Sequence, residues 1–200
     1  MQFSLADPGV VMIGMERKAR IELVTRDGIL ALLPDAKVKA TENQPFPVRR
    51  VECAKALLRV VDSEGRARPS ATATNKAGLA CEIRPLLDPT RGPFGGDLPF
   101  RVYLPAGGDG VEVRATHDQT GNTETCRTDA EGLGHFRLRS PGTWRVEAHR
   151  WVTSPEEPSG RASANIALPE LQTATLLFEI PGGSNSEQQD KARDDEVEAR

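Results

Sequence analysis

The chain reads as an all-β protein, an antiparallel Ig-like β-sandwich. Three observations predict it. Apolar and polar residues alternate with period two in several short runs, such as Val111, Val113 and Ala115 against Glu112, Arg114 and Thr116. Turn signals recur at intervals of roughly ten residues in the second half, as sandwiches require. No repeated long helical crossover of the kind an α/β fold needs separates the runs between residues 79 and 180. The composition agrees, with Gly 18, Pro 15 and only 4% aromatics in 200 residues.

Taken in order, Pro8-Gly9 is a turn and residues 10–13 are a compact apolar run, read as a strand. Residues 20–24 continue with alternation. Residues 29–33 (ILALL) are a short helix or a strand, which periodicity cannot decide at this length. Pro34-Asp35 ends them, and residues 40–47 read as loop. The run 53–61 (CAKALLRVV) is read as a strand because of its β-branched end and the following DSEG turn. Residues 62–78 form an irregular connection. Strands are then expected at 79–85, 99–104, 111–115 and 123–127, around Phe136 and Leu138, around Trp144, Val146 and Ala148, and at 174–180. The expected organisation is a partial N-terminal β-region at 1–61, the connection 62–78, the sandwich 79–183 and a tail 184–200.

The formal net charge is −3, from 26 basic and 29 acidic residues. Residues 184–200 hold six acids and three bases, so the tail carries the whole imbalance and reads as a disordered, solubilising end. The rest of the chain is neutral. It offers no field that would gather nucleic acid. No apolar run approaches the ~18 residues that span a bilayer. The first eight residues lack the basic start and apolar run of a signal peptide. Taken literally, such a chain stays in the cytoplasm.

Three cysteines, Cys53, Cys81 and Cys126, are too few and too scattered for a disulfide framework, and no CxxC suggests structural zinc. Cys53 and Cys81 lie in apolar runs and read as buried free thiols. Cys126 lies near a turn and is the more exposed candidate. One disulfide would be available to an exported chain.

The histidines are His117, His135 and His149. His135 and His149 take the polar parity of consecutive expected strands joined by the Ser140-Pro141-Gly142 turn, with Glu147 nearby. Imidazole suits borderline transition metals, and a carboxylate can complete such a site. His149, His135 and Glu147 are therefore the candidate metal ligands. The plainer alternative is two unrelated surface histidines. His117 keeps the inward parity of residues 111–115 and reads as a satisfied strand-end histidine. Asp129 and Glu131 in TDAEG are expected to build a β-turn rather than bind calcium. Arg137, Arg139, Arg145 and Arg150 form a basic stripe that Glu147 and the loop acids offset. Trp144 has core parity, whereas Trp151 shares the parity of Arg145 and His149. Neither a GxSxG elbow nor a phosphate-binding loop occurs, and no catalytic residues are assigned.

The segments KALLRVV, GLACEIRPLLDP, LPFRVYLPAG, VEVRATH, TDAEGLGHFRL, PGTWRVEAHR and ATLLFEI occur in the order seen in the DUF4198 family, and the resemblance spans residues 10–180. Members are also labelled nickel uptake transporter family proteins. The resemblance implies an exported, non-enzymatic binding or accessory module near nickel or cobalt uptake, partnered by a metal-uptake transporter. His149, in EAH, matches a recurring family position. The resemblance also implies a periplasmic or extracellular location, if a signal peptide precedes Met1. The alternatives are a ligand-free structural or protein-interaction sandwich, and a carbohydrate-binding or carbohydrate-active module. The last needs converging carboxylates or an aromatic platform.

Overall fold

The computed structural model describes residues 8–38, 43–91, 97–153 and 168–182. Within them nine strands and one α-helix form two sheets in contact. The first strand, β1 (Gly9–Val24), takes in both N-terminal apolar runs. Thr25 then caps α1 (Arg26–Leu32), its hydroxyl accepting the Gly28 N–H at 3.1 Å. This resolves the ambiguous ILALL run as helix, ended by Pro34, which disfavours helical geometry in the residue before it.

The chain returns as β2 (Phe46–Val60), antiparallel to β1, with a register shift between Arg17 and Arg20. Then come β3 (Glu82–Pro85), β4 (Leu98–Tyr103), β5 (Glu112–His117), β6 (Thr123–Arg127), β7 (Leu133–Phe136), β8 (Gly142–Val152) and β9 (Glu170–Ile180). The large sheet has the order β1-β2-β9-β8-β5-β6 and the small one β3-β4-β7.

One pairing departs from the antiparallel expectation: β2 and β9 run parallel. The chain leaves the end of β2, builds the small sheet and β5, β6 and β8, and only then returns beside β2. Parallel neighbours need such a crossover, and here it is made of sheet rather than helix. Through this pair the N-terminal strands and the later strands share one hydrogen-bonded layer. The acidic tail expected at 184–200 lies outside the described residues.

Between the sheets lies the core. The large sheet contributes Val51, Cys53, Leu57, Val113, Ala115, Trp144, Val146, Ala148, Leu176 and Phe178. The small sheet answers with Ile83, Leu98, Phe100, Val102 and Phe136, and Phe100 stacks on Phe136 with centroids 5.0 Å apart. Gly134 makes this stack possible, since a Cβ there would sit 2.6 Å from the Phe100 ring.

Candidate functional site

The outer face of the large sheet is partly covered. Ile29 of α1 packs on Val48 and Leu171, with Leu32, Leu33, Ala36, Phe46 and Trp151 around them. Ile29, Leu32 and Leu33 are three and four positions apart, so one helix face reaches the sheet. Beyond the helix the chain turns, the Leu33 N–H bonding to Ile29 O at 2.8 Å and the Ala36 N–H to Leu33 O at 3.0 Å. That turn stands off the ends of β5 and β8 and leaves a cleft of about 330 Å³. Asp35, Lys37, Glu112, Arg127, His149 and Trp151 line it. Its size lies in the small-ligand range.

The rim is held by charge. Arg127 Nη2 donates to Asp35 Oδ2 at 3.1 Å, and Arg150 Nη1 donates to the carbonyls of Gly107 and Asp109 at 3.2 and 2.8 Å. In the wall, the Trp151 indole N–H is buried without a partner among the described residues. Phe46 meets the same ring edge-on at 6.3 Å.

His149 is half-buried, with Nδ1 3.2 Å from Thr173 Oγ1. Burial pulls its pKa below the ordinary value. The Glu147 and Glu112 carboxylates oppose that pull, and the Arg114 and Arg50 charges reinforce it. The ring is thus held neutral near pH 7, the form that ligates metals.

The three predicted residues are not all brought together. Glu147 shares the outer face with His149, opposite Arg114 and Thr175. His135 is exposed on β7, opposite Pro99, in the small sheet. The turn at 140–142 therefore passes between sheets instead of closing a hairpin, and the two histidines belong to different layers. Among the described residues no three His, Cys, Asp or Glu side chains are grouped to hold a metal ion.

Other expectations find their places. His117 is buried. Its Nδ1 accepts from the Thr120 N–H at 3.2 Å, so Nε2 carries the proton and donates to Pro141 O at 2.8 Å. Asp129 Oδ1 accepts from Glu131 N and Leu133 N at 3.0 and 2.8 Å, with Gly132 at φ +77°, which makes TDAEG a turn. The basic stripe is divided. Arg137 bonds Asp97 at 2.8 Å, whereas Arg145 and Arg150 stand on the other sheet. Trp144 is buried, Trp151 is packed under α1, and Lys76 sits 3.9 Å over the Tyr103 ring. Among the described residues these aromatics make no exposed sugar platform.

Two features escaped the sequence reading. One is a belt on the outer face, where Glu22 meets Arg20 and Arg50, and Glu52 meets Arg17, Arg20 and Arg50. The other is a buried ion pair, Lys55 Nζ to Glu82 Oε1 at 2.7 Å, with side chains 1% and 0% exposed. Its signal was available: Val51, Cys53, Lys55 and Leu57 alternate, which puts a lysine on the core parity of β2. Burial pulls the Lys55 pKa down against the attraction of Glu82. Burial pushes Glu82 up, but Lys55 and the Ala77 and Gly78 amides together hold it below the ordinary carboxylate value.

No helix of the described residues is long and apolar enough to cross a membrane. No curated protein and no solved structure matches the chain. One family model does, and it covers residues 1–150, three quarters of the sequence, ending within β8. The chain belongs to the family described as a domain of unknown function, DUF4198.

Proposed function

We propose that this protein is a noncovalent binding or accessory module that takes a small ligand in the cleft between the 33–37 turn and the large sheet. The observation that carries the reading is the neutral, half-buried His149 in the lining of that cleft, with Glu112 beside it. The ligand class suggested by the family resemblance is Ni²⁺ or Co²⁺ as cargo. His149 and one carboxylate, Glu112 or Glu147, supply two donors of types that such ions accept. The remaining positions are left to water or to ligands the ion brings with it. On this reading the module works outside the cytoplasm beside a metal-uptake transporter, and no turnover is needed.

Calorimetric titration with Ni²⁺ tests it. Binding tighter than millimolar is expected, lost in His149→Ala and retained in His135→Ala. Absence of heat, or loss only in His135→Ala, overturns it.

A ligand-free interaction module is the second reading, favoured by β1. Ile13 and Met15 are 46% and 62% exposed and stand beside Ala56 and Ala54 on the outer face. It predicts no Ni²⁺ heat, with self-association in sedimentation that Met15→Lys removes.

A further inference from the structure

The structure assigns Cys53 and Cys81 as a disulfide-forming pair that would bolt the two sheets together. Cys53 is on the inner face of β2, and Cys81 immediately precedes β3 in the facing sheet. They are 3% and 1% exposed. The Cys81 N–H points at Cys53 Sγ from 3.3 Å, and Cys81 Sγ lies 3.8 Å from Val51 O. With the Cys81 amide on the Cys53 sulfur, the two cysteines face each other across the sheets, and a change of side-chain rotamer is the movement that would bring the sulfurs to bonding distance. Cys126 cannot compete. It is on β6, with β5, β8 and β9 between it and β2.

The oxidant is a disulfide of an exchange partner. One cysteine thiolate attacks it, forming a mixed disulfide and releasing the first partner thiol. The second cysteine then attacks the protein sulfur of the mixed disulfide and releases the second partner thiol. The protein loses two hydrogens, and the partner gains them as two thiols. In the closed fold this is slow, because burial, with Cys53 beside it, has the Cys81 thiol pushed up to about 12. The bond therefore forms while the sheets are closing.

The full chain is refolded with reduced and oxidised glutathione, alkylated and digested with trypsin. The expected product links VECAK (residues 51–55) to AGLACEIRPLLDPTR (residues 77–91, since trypsin does not cut between Arg84 and Pro85), leaves Cys126 alkylated, and is lighter by two hydrogens than the two reduced peptides together. A closed loop between residues 28 apart should raise Tm by about 5–10 °C over the reduced chain. Cys126→Ser should give the same linkage. Alkylated or glutathione-capped Cys53 and Cys81, a link to Cys126, or a lower Tm on oxidation overturns the assignment.

Discussion

Replacing Glu82 by Gln removes the charge that accompanies Lys55 into the core. Glu82 Oε1 accepts from Lys55 Nζ and from Ala77 N, both at 2.7 Å, and Oε2 accepts from Gly78 N at 3.1 Å. In the variant the amide carbonyl can keep the first two bonds, while the new NH₂ faces the Gly78 N–H. The larger loss is electrostatic, since an ammonium 1% exposed is left without its partner. Removing one member of such a pair costs about 3–5 kcal/mol. Lysine can also shed its proton, which sets a ceiling. From the ordinary value of 10.5, deprotonation at pH 7 costs about 5 kcal/mol. The expected loss is therefore ~4 kcal/mol in urea unfolding at pH 7, followed by tryptophan fluorescence. The sign of the pH dependence is fixed. Lys55 in the folded variant has a pKa below its unfolded value of 10.5, so the unfolded chain binds more protons and stability rises with pH across that window. A loss under about 1 kcal/mol, or a deficit that grows as pH rises from 7, would refute the reasoning.

In the wild type, Glu82 is held below its ordinary value of 4.5, so its contribution is present above pH 4.5 and lost as pH falls through the folded value. Acid unfolding of a Lys55→Met/Glu82→Leu variant should show a shallower dependence there. Gly108→Ala would place a Cβ 2.1 Å from Val102 O, so a loss of about 3 kcal/mol or more is expected on chemical denaturation. Gly65→Ala is the comparison: nothing lies within 4 Å, and only its φ of +76° resists, at about 1–2 kcal/mol. Thr128→Val strands the Val111 N–H, which it accepts at 2.8 Å, and removes its own bond to Gly108 O. A loss of about 1–3 kcal/mol should appear in the same assay.

Period-two alternation located β5 and β8 because each has one face on the core and one face outside. It also placed His117 and Trp144 inside, and TDAEG was readable as a turn from its own hydrogen-bonding chemistry. What was not legible was which strands are neighbours. The 140–142 turn is as short as a hairpin loop, yet β7 and β8 enter different sheets, and that separates His135 from His149. The β2–β9 pairing joins residues more than a hundred positions apart, beyond any local pattern. The cleft was hidden for the same reason. Its two sides, the 33–37 turn and the ends of β5 and β8, meet only after α1 folds back over Val48 and Leu171. The buried Lys55 could have been read from parity, but its partner could not.

The claim that His149 marks a ligand cleft is tested most directly by paramagnetic line broadening. Ni²⁺ is added to the ¹⁵N-labelled full chain and the backbone amide signals are followed. Loss of signal is expected first at residues 33–37, at Glu112 and at residues 149–151, and none of it in His149→Ala. Broadening centred on His135 and Pro99, or none in the wild type, would contradict the account.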